Sequence, residues 1–224
     1  MNSLSNTSRA LGAAFLFQAV TSLISGVFLL KPLIVPGNIT YSMINISNNV
    51  LRVRAEIVGW TVTAFGIVVL SALLYLTLNK QSKKIALVAF GVRLVEATIL
   101  VASRMATFAL LLVSQESVKA GHPAYLQSLG KLFYELWDLA ITLDMAPYAL
   151  GATLFYYLFF KSGFIPRWLS IWGLVVGLLA IVGILFSLFG YTVPIIVFLP
   201  GLPFELTIGV WLMVKGIRNG SETK

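Results

Sequence analysis

The chain has 224 residues, of which 58% are hydrophobic and 11% charged, and its mean hydropathy is +0.93. Soluble domains carry about 25% charged residues, so this composition excludes an ordinary soluble domain. It indicates an integral membrane protein of the helical type, because the alternating pattern of an outer-membrane barrel is absent. The chain has no cysteine and one histidine, His122, which excludes thiol chemistry and bis-histidine haem ligation. We expect no cofactor, no metal site and no catalytic residue.

Six apolar segments predict an all-α fold: one transmembrane domain, residues 1–224, with six membrane-spanning helices. The predicted spans are separated by polar loops at 36–54 and 115–131 and by short basic turns near Lys80 and Lys161. The fifth span carries no charge and is the best candidate for a lipid-facing helix. In chain order the six predicted spans are residues 11–33, 57–78, 85–114, 132–160, 168–189 and 195–215.

The sixth predicted span is interrupted by Pro200, Gly201 and Pro203, which cannot continue a regular helix from residue 195. We expect an irregular segment and a helix that restarts at Pro203, since proline is favoured at the first helical position. Glu205 would then lie in the first helical turn, where free N–H groups stabilise a carboxylate. Non-helical backbone at membrane depth is tolerated only against protein or a water-filled cavity.

Basic residues in the loops set the expected orientation, because they concentrate on the cytoplasmic side of membrane proteins. Nine lysines and arginines lie in the N-terminus, the two short turns and the C-terminus, including Lys224, against five in the other loops. This bias predicts six spans with both termini in the cytoplasm. It also explains the net charge of +8 without nucleic acid, because anionic lipid headgroups attract the same residues.

The third predicted span carries Arg93, Glu96 and Arg104 within an apolar run. At about 100° per residue, Arg104 returns to within about 20° of Arg93 on the helix surface, and Glu96 lies one turn away on the same side. Each such charge costs roughly 2.5–3.5 kcal/mol near the bilayer centre. The helix must therefore turn this charged stripe toward polar partners in other spans.

Helical rise suggests which residues those partners are. At 1.5 Å per residue, Asp144 reaches the depth of Arg93 and Glu96, whereas Glu135 and Asp138 reach the outer level of Arg104. Glu205 of the sixth span completes the set. The predicted ligand-binding site or intramembrane polar network therefore comprises Arg93, Glu96, Arg104, Glu135, Asp138, Asp144 and Glu205.

The charges near these spans almost balance, which leaves a structural alternative open. Four arginines (Arg52, Arg54, Arg93 and Arg104) face six acids (Glu56, Glu96, Glu135, Asp138, Asp144 and Glu205). Such a set either encloses a functional cavity or forms an ion-pair network that only fixes helix packing.

Several sequence motifs carry a resemblance to a known family. They are RALG at 9–12 with SG at 25–26, VRLVEA at 92–97, KSGFIPRWLSIWGL at 161–174 and PFELTIGVWLMVKG at 203–216. On these residues the chain resembles the bacterial multi-pass membrane proteins catalogued as domain of unknown function forty-three eighty-six. The resemblance implies a prokaryotic inner-membrane protein. It implies no activity and no catalytic residues.

Three functional hypotheses follow from the residues. The first is binding or transport of a small molecule or ion in a polar cavity between helices three, four and six, open to the outside. The second is a non-catalytic accessory or sensory membrane protein whose buried charges are structural. The third is an intramembrane hydrolase that uses Asp138 and Asp144 or Glu205, which we rank last because no Ser–His or metal motif is present. The expected partners are membrane lipids, a small anionic or ionic ligand and, as an alternative to a monomer, a second copy in a homodimer.

Overall fold

A computed structural model of the protein describes residues 2–218, and no strand occurs among them. The all-α prediction is confirmed. Lys224, counted above for the orientation, lies outside the described residues. Seven α-helices follow one another in this part of the chain: α1 (Asn2–Leu23), α2 (Ile39–Asn48), α3 (Val50–Leu78), α4 (Lys83–Lys119), α5 (Ala124–Ser162), α6 (Arg167–Leu188) and α7 (Gly201–Val214).

Five helical segments among the described residues are long and apolar enough to cross a membrane. They begin and end at Asn6–Leu33, Val50–Leu78, Lys83–Lys119, Ala124–Ser162 and Arg167–Leu188. α6 exposes a stripe of large apolar side chains that includes Ile171, Val175, Leu178 and Val182, as a helix in contact with lipid does. The protein is a multi-pass helical membrane protein. α7 has 14 residues and is shorter than these five segments.

The long helices extend beyond the predicted spans, and part of the first predicted loop is helical. α2 lies inside the segment 36–54 that we expected to be a loop. Its start is fixed by Asn38, whose side chain accepts a hydrogen bond from the Tyr41 backbone N–H, as asparagine does at a helix N-terminus. α4 and α5 also continue into the second predicted loop, leaving only residues 120–123 between them. Hydrophobicity predicts the apolar part of a helix but not its polar ends.

The first span changes its helical geometry halfway. Residues Ile24–Leu30 form a π-helical segment, followed by a single 3-10 turn at Lys31–Leu33. In this segment Ser25 is buried, and a β-carbon built on Gly59 of α3 would collide with its hydroxyl oxygen. A β-carbon on Gly26 would come within 3.0 Å of the Trp60 ring. Small residues on both helices therefore allow close packing here.

The chain divides into two compact units, which are described separately. Unit 1 consists of Met1–Ala19, Phe65–Ala97 and Thr142–Lys224. Its core contains Phe155, Phe159 and Phe204, all fully buried. Phe204 of α7 makes edge-to-face contacts with the Tyr156 and Trp172 rings, at centroid distances of 4.8 and 5.6 Å. These aromatic contacts hold α5, α6 and α7 together.

Unit 2 consists of Val20–Ala64 and Thr98–Ile141. Its core is aliphatic and brings together the end of the first span, α2, α3 and α4, through buried Leu30, Ile46, Val53 and Leu110. A hydrogen bond of 3.0 Å from the Thr40 hydroxyl to the Gln127 side-chain oxygen links α2 to α5. The helix inside the first predicted loop is thus an integral part of this unit.

Candidate functional site

Arg93 lies at the centre of a buried polar cluster in unit 1, with a side chain that is 3% exposed. One guanidinium nitrogen, Nη2, donates a hydrogen bond of 2.7 Å to Gln18 Oε1 of α1. The other, Nη1, lies 2.6 Å from Glu96 Oε2, one turn along α4. The guanidinium carbon also lies 5.1 Å from the centre of the Tyr148 ring of α5, a favourable cation–π distance. Arg93 therefore touches polar groups of three helices.

Glu205 of α7 is the second buried acid of this cluster and is 7% exposed. Its Oε1 accepts a hydrogen bond of 2.8 Å from the Tyr148 hydroxyl and one of 3.4 Å from the Gln18 side-chain amide. The predicted place of Glu205 in the first turn of its helix is wrong, because α7 begins at Gly201 rather than Pro203 and its first turn holds no acid. Side chains of α1 and α5, not free backbone N–H groups, hold this carboxyl.

The Arg93 cluster, defined here as Gln18, Arg93, Glu96, Tyr148 and Glu205, contains one positive group and two acids. Arg93 and Glu96 are each 3% exposed and Glu205 is 7% exposed. Asp144 of α5 is half-buried and interacts electrostatically with Glu96. If both acids of the cluster were ionised, the cluster would carry an excess negative charge. Burial makes such an excess expensive.

Gly151 of α5 leaves a narrow space that the Arg93 side chain fills. A β-carbon at position 151 would lie 2.7 Å from Arg93 Cγ and 2.9 Å from its Cδ, well inside van der Waals contact. The absence of a side chain at this position allows the aliphatic part of Arg93 to pass α5. Its head group can then reach Gln18 and Glu96.

Arg104 belongs to unit 2 and has a different set of partners. It forms a buried ion pair with Glu56 of α3, in which the two side chains are 5% and 1% exposed. Its Nε and Nη2 groups also donate to the Ser103 hydroxyl, and its guanidinium carbon lies 5.5 Å from the centre of the Trp60 ring. One arginine here faces one carboxylate. The pair is directly formed and balanced.

Glu135 and Asp138, which we expected at the level of Arg104, have exposed side chains on α5 in unit 2. Glu135 lies 3.8 Å from Lys131, and both side chains are more than half exposed. Lys131 and Glu135 border a cavity of about 390 Å³ that is also lined by Tyr134, Asn38 and the chain from Ile34 to Pro36. This volume falls within the usual range of small-molecule pockets, about 300–1,000 Å³.

The seven predicted site residues thus fall into two groups. Arg93, Glu96, Asp144 and Glu205 belong to unit 1, and Arg104, Glu135 and Asp138 to unit 2. Sequence reasoning did not select Gln18 and Tyr148, which link Arg93 to Glu205, and named Glu56 without assigning it to Arg104. The available signal was weak: Gln18 is a polar residue in an apolar run, and Tyr148 follows Pro147 in the middle of a span.

Within residues 2–218 no group of three or more His, Cys, Asp or Glu side chains is arranged to hold a metal ion.

Comparison with known proteins places most of the chain in one family. A sequence-family model described as Domain of unknown function (DUF4386) matches residues 10–216. No curated protein and no solved structure matches the chain significantly.

Proposed function

Because the chain belongs to the DUF4386 family of multi-pass membrane proteins, whose description assigns no activity, we propose a function from its buried charges. The protein binds or transports a small molecule or ion. The binding site is the Arg93 cluster, and the species bound there is a proton or a small monovalent cation. The single observation that carries this proposal is the charge of the cluster: Glu96 and Glu205 are both buried around one guanidinium.

The unbalanced charge makes a bound cation or proton favourable. Translocon scales assign roughly 2.5–3.5 kcal/mol to one charged side chain near the bilayer centre. A proton or cation at the second carboxyl removes that excess charge. The cluster also joins α1, α4, α5 and α7 through the contacts of Gln18, Arg93, Tyr148 and Glu205, so a change in its occupancy acts on four helices at once.

An anionic ligand is less well supported by the same geometry. Arg93 faces Glu96, and Arg104 faces Glu56. An anion would have to displace a carboxylate from either arginine, whereas a cation or a proton adds to the existing arrangement. The sequence predicts a small anionic or ionic ligand, and of these we propose a cation or a proton.

Topology is part of the same proposal. α7 forms a sixth membrane span, preceded by the irregular segment before Gly201, and both termini are cytoplasmic in the inner membrane. The predicted cavity between helices three, four and six would then lie between α4, α5 and α7, the helices of Arg93, Tyr148 and Glu205, and open to the outside. The basic residues of the short turns at 79–82 and 163–166 and beside them support this orientation.

Thermal unfolding of the detergent-purified full chain tests the proposal. Unfolding midpoints are measured in LiCl, NaCl, KCl and choline chloride at constant ionic strength, and across a pH series. A ligand present at 100 times its dissociation constant stabilises by about 2.7 kcal/mol, which moves the midpoint by several degrees. We expect such a shift with an alkali ion or with pH in the native chain. Glu205→Gln removes it, whereas Glu135→Gln, at an exposed position, retains it. A response that is identical in all three proteins contradicts the proposal.

A second candidate function has an observation of its own. The Arg104–Glu56 pair is direct, buried and balanced, as a purely structural ion pair would be. If the Arg93 cluster has the same role, the protein is a non-catalytic accessory or sensory membrane protein. The same experiment separates the two functions, because Glu96→Gln and Glu205→Gln would then lower the unfolding midpoint equally at every pH and in every salt.

A further inference from the structure

We propose that the ion bound at the Arg93 cluster is a proton and that Glu205 is the carboxyl group that carries it. This inference rests on the proposed function and narrows it from any small monovalent cation to one chemical species and one residue. It depends on how the five side chains of the cluster share their hydrogen bonds.

The two buried acids of the cluster differ in how their charges are compensated. Glu96 lies 2.6 Å from the Arg93 guanidinium, so its negative charge is compensated directly. Glu205 makes no ion pair among the described residues, and its hydrogen-bond donors, Tyr148 and Gln18, are both neutral. The excess negative charge of the cluster therefore falls on Glu205. This is the acid for which a proton removes the largest cost.

The orientation of the Gln18 amide follows from its contact with Arg93. A guanidinium can only donate hydrogen bonds, so the atom of Gln18 that lies 2.7 Å from Arg93 must be its carbonyl oxygen. The NH₂ group of Gln18 is then left to donate toward Glu205. Arg93 thus fixes the orientation of Gln18. Glu205 consequently meets a donor on the α1 side.

Glu205 accepts these two hydrogen bonds at a single oxygen atom. Tyr148 and Gln18 both donate to the same oxygen, Oε1. A carbonyl oxygen has two acceptor lone pairs, and a protonated carboxyl presents one such oxygen and one hydroxyl. The two hydrogen bonds match this form of Glu205, with Oε1 as the carbonyl oxygen and the proton on Oε2.

The same contacts disfavour an alkali ion at Glu205. Hard cations are bound by several oxygen atoms at once. The oxygen of Gln18 already accepts from Arg93, the hydroxyl of Tyr148 donates to Glu205, and Glu96 faces the guanidinium. A metal cation would meet the carboxyl of Glu205, which already accepts two hydrogen bonds, and a nearby positive charge. A proton needs only the one carboxyl.

Among the described residues, the charged and titratable groups that interact with Glu205 lie on two helices, α4 and α5. α1 contributes the neutral amide of Gln18, and α6 contributes the non-titrating Trp172 against Phe204. Raising the pH removes the proton from Glu205 and leaves a second negative charge, which attracts Arg93 away from Glu96. Exchange of Arg93 between the two acids would link the proton to the relative positions of α4 and α7. The groups that interact electrostatically with Glu205 are Arg93 and Glu96 on α4 and Tyr148 and Tyr156 on α5.

Infrared difference spectroscopy of the reconstituted full chain tests the inference. A pH jump reports the C=O stretching band of a protonated carboxylic acid, which a carboxylate lacks. We expect the native protein to give this band and Glu205→Gln to lose it. Glu96→Gln leaves Arg93 with Glu205 as the one acid of the cluster, so this variant still gives the band but loses it at a lower pH than the native protein. Tyr148→Phe retains it at a shifted frequency, because one hydrogen bond to Oε1 is lost. Glutamine at 205 resembles the protonated acid in shape and hydrogen bonding, so this variant is expected to fold.

The outcomes separate the inference from the proposed function. A band that survives in Glu205→Gln and disappears in Glu96→Gln overturns the inference by placing the proton on Glu96. An unfolding midpoint that rises with sodium, lithium or potassium only when Glu205 is present also overturns it, but leaves the proposed function standing. No protonated band and no response to alkali ions or pH overturns both.

Discussion

Arg93 and Arg104 lie on one helix, eleven residues apart, yet their side chains have different kinds of partner. Arg104 has one carboxylate, Glu56, together with the neighbouring Ser103 hydroxyl. Arg93 forms an ion pair with Glu96 and donates a hydrogen bond to the neutral amide of Gln18, whose NH₂ group donates to a second acid, Glu205. A balanced pair is stable without any further component. A cluster with one guanidinium and two acids needs a further positive component to balance its charge. That difference separates a structural pair from a candidate site.

Breaking the balanced pair should destabilise the protein strongly. Arg104→Gln leaves Glu56 buried and uncompensated, so we expect a loss of about 3–5 kcal/mol in the free energy of unfolding. The double variant Glu56→Met, Arg104→Met removes both charges and should recover much of that loss. Thermal unfolding in detergent measures both effects. Arg54→Gln, at an exposed arginine two residues before Glu56, is the matched control and should change stability little. An Arg104→Gln variant as stable as this control would contradict a structural role for the pair.

The narrow passage at Gly151 gives a second prediction at the scale of one residue. Gly151→Ala places a methyl group against the Arg93 stem and pushes the guanidinium away from Gln18 and Glu96. We expect a loss of about 1–3 kcal/mol, the usual cost of overpacking, and a weaker response to pH or ions. At Gly91 of α4 a β-carbon meets nothing within 4 Å. Gly91→Ala should therefore stabilise the helix by about 0.5–1 kcal/mol. Equal effects of the two substitutions on stability would show that position 151 does not constrain Arg93.

The helix periodicity of α4 predicted which residues share a face but not which residues they meet. The stripe of Arg93, Glu96 and Arg104 is buried, as its cost in lipid requires. Depth alone placed several acids at similar levels and could not choose between them, because the rotation of each helix about its axis is set by tertiary packing. Glu56 was therefore not assigned to Arg104. Gln18 is one of many polar residues in the spans and carried no signal that it links two charged groups.

At the scale of whole elements, α1 and α7 approach each other through two glycines. A β-carbon at Gly12 would lie 2.6 Å from the Gly209 carbonyl oxygen and 2.7 Å from the Met213 backbone nitrogen. Neither of these atoms can move without moving the backbone of α7. Small residues allow such close approach of helices in a membrane. The crossing brings the helix of Gln18 against the helix of Glu205.

Substitution at this crossing should separate the two helices. Gly12→Ala forces α1 away from α7, so we expect a lower unfolding midpoint and a weaker pH or ion response, since Gln18 and Glu205 lie on these helices. Gly201→Ala, at the first residue of α7, is the matched control because its β-carbon would meet Val176 at an ordinary 3.7 Å. Unfolding midpoints of both variants check the prediction. A Gly12→Ala protein with the native midpoint would mean that the contact is not needed for packing.

Helix ends were harder to predict than helix centres. The apolar centres of the first five predicted spans lie in the five long helical segments of the structure. Their ends continue into polar sequence, and α2 forms where a loop was expected, because capping by Asn38 and packing of Ile46 stabilise it. The π-helical turn at Ile24–Leu30 was also not predicted. Ser25 and Gly26 of this segment lie against Gly59 and Trp60 of α3, contacts that the local sequence does not encode.

At the scale of the whole molecule, composition alone predicts a helical membrane protein, since 11% charged residues cannot cover the surface of a soluble domain of this size. The exposed apolar stripe of α6 agrees with that prediction. The family match adds no activity. The buried charges are therefore the main indication of function, because each uncompensated charge is costly within a membrane.

The topology gives the last prediction. The chain contains no cysteine, so single cysteines can be introduced without removing any native residue. If the proposed topology of six spans with cytoplasmic termini in the inner membrane is correct, Ser82→Cys in the turn before α4 should be labelled by an impermeant maleimide only after that membrane is opened. His122→Cys, in the turn between α4 and α5, should be labelled in cells with an intact inner membrane. Because these turns flank a single long helix, Lys83–Lys119, they must lie on opposite sides if α4 spans the membrane. Labelling of both on one side contradicts that crossing, and the reverse pattern inverts the orientation that the basic turns predict.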